Sequence, residues 1–346
     1  MNKKKVHELI VNWGIFAVIM ALTFWSVFRG QNFGDIVSAV SQMSGVYLAA
    51  SVFLAAFFVA GEGCMIWYLL KRIGERTTLL RCISYSYIGF FFSGITPSAT
   101  GGQPMQLYYM RRDGNSLSAA SVVLMTVAII YKFVLVLIGI GILLFWSKPL
   151  KDHLQAYYAL YFLGLFLNIA LVVILLMVMF SQRTIWACFY RIEKIMVRFR
   201  LWRRTEARRE KVEQFLSGYQ QTVAFLRSHI RLIGITIAGT FLQRFSVFVL
   251  TYTVYCGLGL TGSAMPDVVL LQAAVYIAVD MLPVPGAQGI TEAMYRSVFR
   301  DIFAEKYLVV SVCITRGISF YLMMLAGFAV FCVVRRRKPP VLKPYR

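Results

Sequence analysis

Charge, histidine and paired cysteine are what this sequence has little of. Charged side chains make up 15% of its 346 residues while 59% are hydrophobic, and the mean hydropathy is +0.68. That balance excludes an ordinary water-exposed surface, so lipid is the solvent for most of the chain. The three histidines, His7, His153 and His229, are scattered, and the six cysteines (Cys64, Cys82, Cys188, Cys256, Cys313 and Cys332) stand singly without a C-x-x-C pair. Neither a zinc centre nor a disulfide framework is expected, and no motif suggests another cofactor. There is also no P-loop, G-x-S-x-G elbow or H-E-x-x-H, so ATP coupling, serine acyl transfer and zinc hydrolysis lack their usual signatures. Acidic residues are scarce too, 15 against 36 Lys and Arg, for a formal charge of +21. In a membrane chain this excess reads as the positive-inside rule, and no nucleic-acid partner is expected.

What is present is a series of long apolar runs. Stretches of about 20 residues or more, enough to span a bilayer, fall at 10–28, 46–70, 117–146, 157–180, 232–257 and 307–334. The run after Lys3, Lys4 and Lys5 has no small-residue cleavage motif behind it, so it is expected to stay as an anchor rather than leave as a signal peptide. Six crossings place both termini on one side. The basic clusters at the N-terminus, at 71–81, at Arg111 and Arg112, at 183–231 and at 335–338 then share the cytoplasmic side, provided two further apolar stretches do not cross.

Those stretches, 82–96 and 268–282, are about 15 residues each, short for a span, and each runs into a Pro/Gly loop. They are predicted to be re-entrant hairpins. The first ends at Thr96-Pro97-Ser98-Ala99-Thr100-Gly101-Gly102-Gln103-Pro104 and returns by Arg111; the second ends at Leu282-Pro283-Val284-Pro285-Gly286-Ala287-Gln288-Gly289 and returns through the amphipathic stretch 290–306. Span, hairpin, span thus occurs twice with opposite orientation. The expected fold is an all-α polytopic membrane protein, six full transmembrane helices plus two re-entrant helical hairpins in an inverted-topology repeat. Its halves lie at about 46–147 and 232–334 in one membrane domain, and the interrupted segments meet near the midplane.

Charges inside the spans support that site. Glu62 lies 35 residues before Pro97 and Lys132 lies 35 after it; Arg244 lies 39 before Pro283 and Arg316 lies 33 after, with Asp280 just ahead of the loop. A charge at the bilayer centre costs roughly 2.5–3.5 kcal/mol, so these residues need partners or a wet cavity. They serve either as coupling groups or as helix-register pairs such as Glu62 with Arg244 and Asp280 with Arg316. The polar middle, 181–231, carries apolar residues at helical spacing (Ile185, Phe189, Ile192, Met196, Phe199, then Val212, Phe215, Tyr219, Val223, Leu226). It is predicted to form one or two amphipathic helices lying on the cytoplasmic face.

The loops carry the candidate chemistry. Backbone N–H groups at membrane depth must face protein, water or ligand, and anions suit them. In the first loop Gly101 and Gly102 permit close approach, Ser98 and Thr100 offer hydroxyls, Gln103 offers an amide, and Arg111 and Arg112 can hold a phosphate bidentately. In the second, Gly286 and Gly289 repeat the loop chemistry beside Asp280 and Glu292. The competing reading is a pair of tight turns that use Gly for their dihedrals and Pro97, Pro283 and Pro285 to stop half-helices.

The stretch TPSATGGQPMQLYYMRRDG (96–114), together with PVPGAQGITE (283–292), resembles the paired signatures of the lysylphosphatidylglycerol synthase transmembrane-region family, also called flippase-like or UPF0104 proteins. The resemblance covers nearly the whole chain. It implies a lipid-moving membrane domain in a bacterial cytoplasmic membrane, with a membrane phospholipid or polyprenyl-phosphate lipid as the bound partner. The residues it carries over are the 97–103 loop, Arg111 or Arg112, the 283–289 loop and Glu292. Family members with an added cytosolic aminoacyltransferase domain make lysyl-phosphatidylglycerol. Only twelve residues follow Val334, so the expectation is a non-enzymatic flippase. The alternatives are the membrane part of a lipid aminoacyl- or glycosyltransferase system, with a lipid-modifying enzyme as partner chain, and a membrane scaffold.

Overall fold

The computed structural model describes residues 33–96, 99–181, 191, 206–282, 287 and 289–337. Its elements are helices: α1 (Phe33–Gln42), α2 (Gly45–Ile73), α3 (Leu79–Ile95), α4 (Gly102–Arg112), α5 (Leu117–Phe145), α6 (Ser147–Leu154) and α7 (Tyr158–Phe180). After the middle segment come α8 (Glu206–Ser228), α9 (Ile230–Gly257), α10 (Met265–Val279), α11 (Ile290–Val298), α12 (Glu305–Arg316) and α13 (Met323–Arg336), with a π-helical turn, Gly317–Leu322, joining the last two. Among the described residues, five helices are long and apolar enough to cross a membrane: Gly45–Ile73, Leu117–Phe145, Ser147–Phe180, Ile230–Gly257 and Glu305–Arg336. They coincide with the last five predicted spans; the first, 10–28, and the Ile185–Phe199 stripe lie outside the described residues. Large apolar side chains such as Phe53, Leu144, Phe145 and Phe166 stand exposed on their outer faces, as lipid-facing positions should.

Each short apolar stretch forms the first arm of a helical hairpin, α3 with α4 and α10 with α11. Local chemistry sets their ends. Thr78 caps α3 by accepting from the Arg81 N–H at 3.4 Å, and Pro266 occupies the first turn of α10, where a missing N–H costs nothing. The 290–306 stretch is not continuous: α11 stops at Val298 and Glu305 opens the final span. The long helices α2 and α9 pack along each other at the centre. The arm α3 lies against α2 and α13, and α10 against α9, α5 and α7. Each hairpin therefore leans on a span from the other side of the sequence.

Several crossings are close enough to require glycine. A Cβ on Gly63 of α2 would sit 2.5 Å from Ile83 Cα, and one on Gly164 of α7 would run into the backbone of Ile277 and Ala278 in α10. Small residues let membrane helices approach to this distance. Gly164→Val should therefore push α7 from α10 and lower stability by about 1–3 kcal/mol. Unfolding in mixed micelles checks this, and an unchanged midpoint would show the contact to be slack.

One end of the bundle is basic. Arg112 at the end of α4 donates to the Val334 carbonyl of α13 at 3.1 Å, and Ser116, which caps α5, donates to Glu75 beyond α2 at 2.5 Å. The predicted surface helix differs in its partner: Phe215, Tyr219, Val223 and Leu226 of α8 pack into the protein, with the Tyr219 hydroxyl 3.2 Å from Met125 Sδ in α5. An apolar stripe specifies that something apolar must cover it, and here a neighbouring helix does so in place of lipid.

Candidate functional site

The intramembrane charges form a chain across the centre of the bundle. Glu62 on α2 accepts from Gln106 Nε2 at 2.8 Å and from Ser86 Oγ at 3.2 Å, which ties it to both arms of the first hairpin. On the facing helix, Arg244 is only 4% exposed. Its guanidinium lies 3.4 Å from the Tyr131 ring centre and 4.6 Å from that of Phe58, and it donates to the Tyr276 hydroxyl at 3.3 Å. Tyr131 in turn donates to Asp280 at 2.8 Å, and the second Asp280 oxygen pairs with Lys132. The path thus runs from the first hairpin through α2, α9 and α5 to the end of α10 in the second hairpin.

Neither register pair considered from the sequence is made. Glu62 and Arg244 are near enough to interact through space but form no direct ion pair among the described residues. Asp280 takes Lys132, and Arg316 takes Glu292, Nε to Oε1 at 3.0 Å. The reason is where the arms end. Asp280 follows the last residue of α10, beside α5, whereas Glu292 in the first turn of α11 faces the end of α12. The other Glu292 oxygen accepts the Gly289 N–H at 2.6 Å, so this carboxylate pins the second loop to the final span. The π-helical turn begins immediately after Arg316, and such bulges concentrate at functional positions.

The first loop is held by Thr96, whose hydroxyl donates to the Phe92 carbonyl at 2.7 Å and accepts from the Gly101 N–H at 2.9 Å. Thr100 is exposed beside it. Gly102 is the first residue of α4, and a Cβ there would strike Ser93 Oγ and come within 2.7 Å of the Gly89 carbonyl. Its smallness closes the hairpin arms on each other. Gln103 is exposed in the first turn of α4, away from the charges. Arg111 is exposed as well, while Arg112 is engaged, with Nε 3.4 Å from Asp113 and its guanidinium 4.4 Å from the Tyr109 ring centre. Pro97, Ser98, Pro283, Pro285 and Gly286 lie outside the described residues.

Two features were missed in the sequence. Gln106, 2% exposed, is the amide that reaches Glu62; it sits three residues beyond Gln103 on the same helix, turned far enough to be buried. The loops also share a P-x-A-x-G pattern, 97–101 and 285–289. Both alanines are left-handed, φ 54° at Ala99 and 49° at Ala287, and each final glycine precedes the second arm. A non-glycine residue held there is strained, and strain of this kind collects at working loops. Among the described residues no cluster of His, Cys, Asp or Glu is arranged to hold a metal ion.

Broken hairpins packed on long apolar helices, around a core of paired charges, define a multi-pass helical membrane protein with a polar interior. Residues 11–327 match the family described as lysylphosphatidylglycerol synthase TM region, and the chain belongs to that family. A UPF0104 membrane protein of Pyrococcus horikoshii is similar to it, 25% identical over 281 residues that cover 78% of this chain and 81% of the relative.

Proposed function

We propose that this chain moves the headgroup of an anionic or aminoacylated phospholipid, or of a polyprenyl phosphate, between the leaflets of a cell membrane while the acyl chains stay in the bilayer. The observation that carries the reading is Arg244, a guanidinium at the centre of the bundle whose buried Nε–H has no hydrogen-bond acceptor among the described residues. An orphaned charged donor in a low-dielectric interior is costly unless a ligand supplies the missing acceptor, and a phosphate oxygen suits it. The surroundings support the same reading. Three basic side chains (Lys132, Arg244, Arg316) and three acidic ones (Glu62, Asp280, Glu292) lie inside the bundle, where a charged headgroup can enter by exchanging partners. The two P-x-A-x-G hairpins, one from each half, fit an inverted repeat with re-entrant arms on either side of that core.

A net anion moving outward travels down the membrane potential, at about 2.3 kcal/mol per charge per 100 mV. Reconstitution into vesicles with labelled phosphatidylglycerol or labelled polyprenyl phosphate in one leaflet tests the proposal. Faster leaflet exchange of one of them than in protein-free vesicles is expected, and exchange unchanged for both would overturn it. The family's description names a synthase, which favours a second reading in which the core presents a lipid to a transferase chain. In that case exchange stays slow until the transferase and its donor are added.

A further inference from the structure

At the basic end of the bundle, where α2 and α9 part, a cavity of about 500 Å³ is lined by Tyr68, Arg72, His229, Arg231, Leu232 and Ile235. Arg72 is in the last turn of α2, ten residues beyond Glu62, or about 15 Å of helix rise, so this cavity is separate from the charged core. Its rim is cationic without acid partners: neither Arg72 nor Arg231 forms an ion pair among the described residues. The Arg72 guanidinium rests 5.6 Å from the Tyr68 ring centre. The His229 ring stacks on Phe225, with its Nδ1 3.0 Å from the Ser228 hydroxyl and 2.8 Å from the Phe225 carbonyl.

The wall continuing from this rim is apolar. Ile230 is 80% exposed and Ile235 44% exposed on the same first turns of α9. Cations without ion pairs among the described residues, beside exposed isoleucines, complement one kind of molecule, an anion joined to hydrocarbon. A soluble phosphate would satisfy the arginines but leave the isoleucines uncovered, whereas a zwitterionic lipid would bring its own cation to a rim where no carboxylate lines the cavity among the described residues.

We propose that this cavity holds one anionic phospholipid from the adjoining leaflet. Its phosphodiester lies between Arg72 and Arg231, and its chains run along Ile235. The site stands independently of headgroup translocation through the core.

Native mass spectrometry of the full chain in micelles, titrated with phosphatidylglycerol, phosphatidylcholine or inorganic phosphate, tests this. Phosphatidylglycerol should be retained at one copy under activation that strips phosphatidylcholine. Arg231→Gln should weaken it by about tenfold, the worth of a charge-assisted contact of about 1.5 kcal/mol, and Arg72→Gln with Arg231→Gln by more. Lys148→Gln, on α6 and outside this lining, should leave it unchanged. Arg231 is exposed, so the single variant should fold even where the double variant fails to. Equal retention of phosphatidylcholine, unchanged binding by Arg231→Gln, or displacement of the lipid by inorganic phosphate at matched concentration would each overturn the proposal.

Discussion

Asp280→Leu is expected to cost about 3–5 kcal/mol of unfolding free energy, because it leaves the Lys132 ammonium buried without its carboxylate. The two side chains are only 14% and 10% exposed, and the lysine's other hydrogen-bond contact among the described residues is Met281 Sδ at 3.2 Å. A thioether accepts weakly and neutralises nothing. The double variant Lys132→Met with Asp280→Leu should recover most of the loss, since a buried pair replaced by apolar residues of similar size is often as stable as the pair itself. Chemical unfolding in mixed micelles measures both steps. If the single variant is as stable as the parent, the pair contributes nothing and Asp280 does not hold the second hairpin to α5. The same double variant separates structure from transport. If the pair exchanges partners with a headgroup, lipid exchange stays low after stability returns.

The second large effect is expected at Arg244. Lysine keeps the charge but cannot lie flat between Phe58, Tyr131 and Tyr276, and it removes the unpartnered Nε–H. A desolvated cation–π arrangement is worth about 2 kcal/mol, so Arg244→Lys should slow lipid exchange about 30-fold, at 1.4 kcal/mol per factor of ten. Arg244→Ala should slow it further, because it removes the charge as well as the flat guanidinium. Exchange rates in vesicles, with helical content confirmed by circular dichroism, check this. Full exchange in the lysine variant would remove the guanidinium from the path.

The architecture was largely legible from the chain. Hydropathy marks a span because a bilayer tolerates only apolar surface, and the five predicted spans that fall on described residues are each helical. The two short stretches were recognisable by length and by the Pro/Gly that ends them. The loop residues were read less well. Gly102 closes α3 on α4, a packing need that the sequence pattern does not separate from close approach to a headgroup. Gln106, which the sequence did not single out, donates to Glu62, because a helix begins at Gly102 and turns position 106 toward α2. The amphipathic middle was recognised as needing an apolar cover, but spacing alone does not distinguish lipid from α5.

Composition and order along the chain determined that this protein lives in a membrane, where its helices run, where two of them break, and which charges are trapped inside. Those properties follow from the transfer of each segment out of water, which is local. Which charge meets which was decided only in three dimensions. Lys132 and Asp280 are 148 residues apart, and they pair because α10 ends beside α5. Glu292 holds Arg316 because a nine-residue helix aims it there. An ion pair depends on a few ångströms between helices, and that distance is set by packing at close crossings such as Gly63 on Ile83, which no hydropathy pattern contains.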